Sequence, residues 1–211
     1  KLNIKCNIVI PVTAPENKIN SVKRLGAKIT LHGENLAEAL VKADEISKKY
    51  NYTFVHPFDD PYTIAGQGTI GKEILQDSIK YDAIFVPVGG GGLLAGISAW
   101  IRQNDKTIKI VGVEVDDSAC LMEALKSNKR VLLKKVGLFA DGVAVSQVGK
   151  HNLDVIKECV DEVITVNIDI PRIGAKKIYL EHHITELEEI IVSTNSNKKE
   201  SLTSIEDVID R

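Results

Sequence analysis

The sequence is poor in aromatic residues and has no excess of basic charge. Phe, Trp and Tyr make up 5% of the 211 residues, whereas hydrophobic residues as a whole make up 44%. Ala, Val, Ile and Leu therefore supply the core, and this aliphatic bias favours a buried parallel sheet covered by helices. The formal net charge is −2, so we expect a small-molecule partner and no nucleic-acid partner.

Cysteine is scarce, and its spacing indicates neither a disulfide framework nor a zinc site. The three residues, Cys6, Cys120 and Cys159, are far apart and form no CxxC pair. We expect reduced thiols and a cytoplasmic protein, with an organelle address upstream of Lys1 left open. No secretory signal is visible.

A long uncharged stretch does not indicate a membrane protein. The 19 residues between Asp82 and Arg102 carry no charge, which is close to the length that spans a bilayer. Pro87 and five glycines interrupt the stretch, and half of it is needed as a strand. We therefore predict no membrane span.

Short β-branched runs alternate with segments of helical periodicity along the chain. Strands are predicted over residues 7–12, 27–33, 52–57, 82–88, 108–115 and 161–167. Helices are predicted over residues 14–26, 35–50, 69–78, 93–104, 118–128 and 150–160, with Ser118 as an N-cap. This order predicts an α/β fold with parallel sheets, in which the fully apolar strand 82–88 is central.

Composition divides the chain into parts. Residues 58–68 are rich in turn formers and are the best linker candidate. We therefore predict a small α/β domain over 1–60 and a large α/β domain over 61–190, whose last segment, 170–190, can form a helix. Residues 191–211 are predicted to be a polar, partly disordered tail.

Four consecutive glycines, residues 89–92, follow the predicted strand 82–88 and precede a predicted helix. Ligands of open α/β sheets bind at the carboxyl ends of strands. Glycines let the backbone approach an anion closely, and the N–H groups of the loop and of the next helix converge on one point. A plain turn needs one or two glycines, so four in a row favour a phosphate site.

Two nucleotide motifs compete for this interpretation. Gly90, Gly92 and Ala95 match the dinucleotide fingerprint, and Glu114 ends the next strand where a ribose-binding acid would lie, so an NAD-dependent oxidoreductase is an alternative. That fingerprint normally opens at a first strand, not in mid-chain. Residues 66–73 nearly match a P-loop, but Glu73 replaces the magnesium-binding Ser or Thr, and glycines packing against a neighbour explain the segment better.

Four segments of the chain together point to a known enzyme family. In chain order they are FDDPYTIAGQGTIGKEI, FVPVGGGGLLAG, VGVEVDDSACL and VGLFADGVAV. They resemble the biosynthetic threonine dehydratases, which belong to the fold type II (tryptophan synthase β-like) family of pyridoxal-phosphate enzymes, and the resemblance covers residues 7–167. It implies a three-layer parallel-sheet fold, here partial, and pyridoxal 5'-phosphate as cofactor. The implied phosphate ligands are the backbone N–H groups of Gly89, Gly90, Gly91, Gly92 and Leu93. The loop around Asp141 and Gly142 is expected near the cofactor ring.

The reaction that the resemblance implies is deamination of L-threonine to 2-oxobutanoate and ammonia, on the route to isoleucine. An amino-acid substrate and a homo-oligomeric full-length protein are expected with it. Threonine and serine differ by one methyl group, which a hydrophobic pocket discriminates by only about 1–3 kcal/mol. The residues at hand leave the choice between the two open.

The sequence departs from the family pattern at both ends. The Ser-Phe-Lys-like motif with the Schiff-base lysine and the Ser-Gly-Asn-His-like motif are absent from residues 1–211, and ITELEEI diverges from the family's later segment. We therefore expect a truncated chain that is inactive alone and poorly soluble. A non-catalytic paralogue that serves as a binding or dimerisation module is an alternative. Lys72 is interpreted as a solvated helix lysine, so no catalytic residue is nominated.

Acidic residues follow the strand 108–115, and some family members bind a cation near this segment. Glu114, Asp116 and Asp117 lie there, but Cys120 occupies the position where the cation pattern requires a further acid. We predict no metal. His182 and His183 are adjacent and would face different directions on a helix, which disfavours a metal site.

Overall fold

The computed structural model describes residues 4–137, 140 and 142–167. The elements follow in chain order: β1 (Asn7–Ile10), α1 (Glu16–Arg24), β2 (Lys28–Leu31), α2 (Leu36–Tyr50), α3 (Pro61–Gln76), β3 (Ala83–Pro87), α4 (Gly92–Asn104), β4 (Lys109–Val115), a 3-10 turn (Asp116–Ser118), α5 (Cys120–Ser127), α6 (Lys150–Cys159) and β5 (Glu162–Val166). Among the helices predicted within the described residues, all except α3 have counterparts within two residues at each end, and so do all predicted strands except one.

The strands form two parallel sheets, which confirms the predicted α/β class. β1 pairs with β2, with Asn7 opposite Lys28. The second sheet has the order β3-β4-β5, with Val111 of β4 opposite Phe85 on one side and Glu162 on the other. The prediction that 82–88 is the central strand is wrong for the sheet that the described residues form, since β4 is central. An apolar strand sequence indicates that both faces of the strand are covered, but it does not indicate the position of the strand in the sheet order.

The strand predicted over residues 52–57 is absent. The segment has the right composition, but within the described part of the chain it pairs with no other strand, and Val55 is 70% exposed. Its aromatic rings contact each other instead, with the His56 ring edge-on to Phe54 and to Phe58. The segment therefore has strand propensity but no neighbouring strand among the described residues with which to form a sheet.

The predicted linker 58–68 is wrong for its last eight residues, because α3 begins at Pro61. The Asp60 side chain accepts hydrogen bonds from the N–H groups of Tyr62 (2.9 Å) and Thr63 (3.0 Å), and Pro61 occupies the first helical position. Asp at the N-cap and Pro at N1 are helix-start signals as well as turn formers. The helix therefore starts eight residues earlier than predicted, and the division into domains near residue 60 stays a prediction.

Helices α3 and α4 pack closely through glycines. A Cβ on Gly71 would lie 3.0 Å from the Ile97 carbonyl oxygen, and a Cβ on Gly68 would lie 3.2 Å from that of Gly96. The near P-loop match over residues 66–73 therefore lies inside a helix and does not follow a strand. The interpretation of its glycines as packing residues is confirmed at Gly68 and Gly71.

The core lies around β3, β4 and the helices that follow them. Leu94, Ile101, Ile110, Leu121 and Ile156 are fully buried. No helix in the described part of the chain is long and apolar enough to cross a membrane. The predictions for the helix 170–190, its two histidines, Asp141 and the tail 191–211 fall outside the described residues.

Candidate phosphate-binding site

The four glycines form the connection between β3 and α4, and we call residues 89–92 the glycine loop. Gly91 has φ of 90°, a conformation that other residues rarely adopt. A Cβ on Gly90 would collide with the Phe58 ring, and a Cβ on Gly92 would lie 2.7 Å from the Phe58 carbonyl oxygen. A Cβ on Gly89 would lie 3.0 Å from Val143 Cα. Close approach of neighbouring segments therefore requires glycine at successive positions, which a plain flexible turn would not need.

Three carbonyl groups of the glycine loop accept hydrogen bonds from the surrounding protein. Asn152 Nδ2 (2.7 Å) and the Gly149 N–H (3.0 Å) both donate to the Gly90 oxygen. The Cys120 thiol donates to the Gly89 oxygen at 3.5 Å, and the Ala95 N–H donates to the Gly91 oxygen at 2.9 Å. The acceptor side of the loop is thus occupied by protein groups.

The donor side of the loop is different. No oxygen of the described residues accepts a hydrogen bond from the N–H groups of residues 89–93, although Gly90, Gly91 and Gly92 are buried. Buried N–H groups are nearly always paired, and these lie at the positive end of the α4 dipole. Donors that no described oxygen pairs with, placed at a helix N-terminus, match what a phosphate group requires. The residues present therefore fit a phosphate-bearing ligand.

Residues 56–60 hold two helices next to the glycine loop. The Asp59 carboxylate accepts hydrogen bonds from the N–H groups of Lys150 (2.8 Å) and His151 (2.9 Å), so it caps α6, while Asp60 caps α3. His56 Nδ1 accepts from the Asp59 N–H at 2.8 Å, which requires that this nitrogen carry no proton. Burial lowers the pKa of His56, against the opposing effect of the Asp59 and Asp60 carboxylates. The neutral imidazole thus supports the turn.

Glu114 is fully buried at the end of β4 and caps α5. Its two carboxylate oxygens accept hydrogen bonds from the N–H groups of Leu121 (2.8 Å) and Met122 (2.7 Å). The prediction of Ser118 as the N-cap is wrong, because α5 starts at Cys120 and a buried acid from the preceding strand takes the capping role. Burial raises the pKa of Glu114 to about 7, although the two backbone hydrogen bonds oppose this shift.

Cys120, the first residue of α5, connects the helix that Glu114 caps to the glycine loop. Burial, and after it the Glu114 carboxylate, raises the pKa of the Cys120 thiol to about 12, so the thiol keeps the proton that it donates to Gly89. Both carboxylate oxygens of Glu114 therefore accept hydrogen bonds from α5, and the buried carboxylate is not available to bind a ribose. This removes the acid on which the dinucleotide alternative depended.

The other residues that the sequence singled out as candidate site residues either lie away from the glycine loop or are not tested by the structure. Lys72 is exposed on α3, as a solvated helix lysine would be. The described ranges contain no group of three or more His, Cys, Asp or Glu arranged to hold a metal, and the absence of a metal stays a prediction. All three cysteines are free thiols.

The sequence analysis did not identify Phe58, Asp59 and Asn152 as residues of this site. The FDDP motif offered a signal for Phe58 and Asp59, and no sequence signal pointed to Asn152.

The profile of the family described as "Pyridoxal-phosphate dependent enzyme" matches residues 1–186. The chain belongs to this family. Membership confirms the resemblance drawn from the four motifs, the fold type II class and the family's cofactor, pyridoxal phosphate.

Threonine dehydratases are among the similar members of this pyridoxal-phosphate family. The mitochondrial threonine dehydratase of Schizosaccharomyces pombe is 46% identical over 182 residues, which cover 85% of this chain and 30% of the relative. The biosynthetic L-threonine dehydratase IlvA of Escherichia coli is 45% identical over 169 residues, which cover 80% of this chain and 33% of the relative. The chain thus spans about a third of the length of these curated relatives.

A solved structure from the same family supports the likeness. The processed form of threonine deaminase isoform 2 from Solanum lycopersicum superposes with a TM-score of 0.73 at 42% identity. The match covers 79% of this chain and 48% of the tomato chain. Fold and sequence therefore point to the same branch of the pyridoxal-phosphate family.

Proposed function

We propose that this chain is the phosphate-holding part of a threonine dehydratase, which converts L-threonine to 2-oxobutanoate and ammonia in isoleucine biosynthesis. The observation that carries the proposal is that the N–H groups of residues 89–93, at the start of α4, donate to no oxygen of the described residues. The identity of about 45% to threonine dehydratases over most of the chain supports this choice of substrate.

In the proposed site, the backbone N–H groups of Gly89, Gly90, Gly91, Gly92 and Leu93 hold the phosphate of pyridoxal phosphate. When bound, this cofactor supplies an electron sink that makes the α-proton of an amino acid acidic. The chain's own contribution is to bind and orient. The loop offers donors from a rigid junction, and Phe58, packed against Gly90 and Gly92, excludes water from one side of it.

We extend the proposal to partners and location. The substrate is an amino acid, and the full-length protein is a homo-oligomer, which is supported by large apolar side chains at the surface such as Tyr62 (89% exposed) and Val55 (70% exposed). A cytoplasmic location is supported by the free cysteines. A protein in an organelle is the counter-hypothesis, since the fission-yeast relative is named mitochondrial.

A chimeric enzyme tests the proposed function. The segment of the Escherichia coli enzyme that matches this chain, 169 residues at 45% identity, is replaced by the corresponding residues of this chain. We expect the purified chimera to bind pyridoxal phosphate and to release 2-oxobutanoate from L-threonine, measured through coupled reduction of the keto acid.

The matched control is the same chimera with Gly91→Ala. The added Cβ would lie 3.1 Å from Ile156 Cδ1 at a residue with φ of 90°, so the loop must shift and cofactor affinity should fall at least tenfold. A chimera that binds pyridoxal phosphate but deaminates only serine would contradict the assignment of threonine. A folded chimera whose cofactor affinity is unaffected by Gly91→Ala would contradict the placement of the phosphate.

A further inference from the structure

The peptide between Gly90 and Gly91 has its two polar groups in different surroundings. The Gly90 oxygen accepts from both Asn152 Nδ2 (2.7 Å) and the Gly149 N–H (3.0 Å), at the start of α6. The described chain contains no cis peptide bond, and in a trans peptide the C=O and N–H groups point in opposite directions. Holding the carbonyl towards α6 therefore turns the Gly91 N–H away from α6.

We propose that Asn152 is a positioning residue for the phosphate site, which fixes the Gly90 carbonyl through its side-chain amide and so aims the Gly91 N–H at the bound phosphate. The inference rests on the proposed function, because it takes residues 89–93 as the groups that hold the cofactor's phosphate. Asn152 contacts neither the cofactor nor the substrate, and it acts through the loop.

The surroundings of Asn152 favour a role beyond filling space. The residue is fully buried, and its Oδ1 has no hydrogen-bond partner within the described part of the chain. Burying an unpaired amide oxygen is unfavourable, so an apolar side chain would suit a purely structural position better. The bond that Nδ2 makes to Gly90 is what distinguishes asparagine from such a side chain.

The neighbours of Asn152 are shaped to present its amide to the loop. A Cβ on Gly149 would lie 2.5 Å from Asn152 Nδ2, and a Cβ on Gly91 would lie 3.2 Å from Asn152 Cβ, so glycine is needed on both sides. Asp59 takes the N–H groups of Lys150 and His151, which fixes the first turn of α6. The amide is therefore held by a helix whose start is itself anchored.

Direct binding to the full 211-residue chain tests this role. The affinity for pyridoxal phosphate is measured by equilibrium dialysis, with inorganic phosphate as the competing probe. Asn152→Ala removes one hydrogen bond that orients the loop, and we expect roughly tenfold weaker binding of both probes. The matched control is Leu153→Ala, which truncates the next buried residue of α6. It should lower the melting temperature while leaving the affinity within about twofold.

A second variant gives a readout that a purely structural role would not move. Asn152→Asp keeps the shape of the side chain, and its carboxyl donates an O–H to the Gly90 oxygen only when protonated. Burial and the nearby Asp59 carboxylate would raise the pKa of the new carboxyl. The charges of Arg130, which donates to the Val148 carbonyl, and of Lys150, at the start of α6, would lower it, and at this fully buried position we expect burial to dominate. The ratio of wild-type to variant affinity should therefore rise with pH, from near one to more than tenfold.

The outcomes separate the two proposals. If the wild-type chain binds neither pyridoxal phosphate nor inorganic phosphate, both the proposed function and this inference fail. If the wild type binds and Asn152→Ala binds equally well, or the ratio for Asn152→Asp is flat across pH, the inference alone is refuted. Should Asn152→Ala melt below the assay temperature, the Asn152→Asp profile decides, because that variant keeps the packing of asparagine at low pH.

Discussion

Replacing Glu114 by glutamine should change how the stability of the protein depends on pH. Burial raises the pKa of this carboxyl from 4.5 to about 7 in the folded chain. The folded state therefore holds a proton that the unfolded state has released over this interval. The stabilisation is fully present below pH 4.5, is lost as the pH rises through 7, and stays absent above it.

The pKa shift of Glu114 sets the size of the effect. A rise from 4.5 to about 7 corresponds to about 3 kcal/mol of unfolding free energy. Glu114→Gln does not titrate, so the free energy of unfolding of the wild type relative to this variant should fall by about 3 kcal/mol between pH 4.5 and pH 8. Because glutamine keeps one acceptor oxygen for the N–H groups of Leu121 and Met122, part of the α5 cap survives.

Urea unfolding followed by circular dichroism at several pH values measures this difference. Glu123→Gln is the control, since it removes an exposed carboxyl from the same helix. The Glu123 charge is the smallest of the causes that shift the pKa of Glu114, so this variant should keep most of the pH dependence of the wild type. A constant difference between the wild type and Glu114→Gln would refute the reasoning. A difference that grows with pH would show that the two backbone hydrogen bonds outweigh burial and keep the carboxylate ionised.

Two further pairs of variants test the packing and capping of α3, both by urea unfolding. Gly96→Ala places a methyl group against the Ile64 carbonyl and should lower the free energy of unfolding by about 1–3 kcal/mol. The Cβ of Gly66→Ala meets no atom within 4 Å, so this variant should raise the free energy of unfolding by about 0.5–1 kcal/mol. Equal effects of the two variants would contradict the close contact of α3 and α4. Asp60→Ala should cost about 1 kcal/mol by removing the N-cap, and Asp60→Asn should cost little because it keeps the acceptor oxygen. Equal losses in these two variants would show that the cap contributes nothing.

Most of the fold could be predicted from local pattern, and the failures share a physical cause. The segment 52–57 has strand composition, but a strand exists only where a neighbour accepts its hydrogen bonds, and sequence periodicity does not report the neighbour. Asp60 and Pro61 were predicted to belong to a linker, and this is wrong because they start α3. The same residue types start a helix and make a turn, and the packing of α3 against α4 decided between the two.

The sequence by itself determined where the glycine loop lies, because four glycines between a strand and a helix allow neighbouring segments to approach closely through local geometry. The binding of a phosphate by this loop stays a prediction. Only the tertiary structure decided which groups hold the loop's carbonyls. Asn152 is 62 residues from Gly90 along the chain, and Cys120 is 31 residues from Gly89. It also decided that Glu114 caps α5. Hydrogen bonds between distant segments depend on how the helices dock, and no spacing along the chain encodes that.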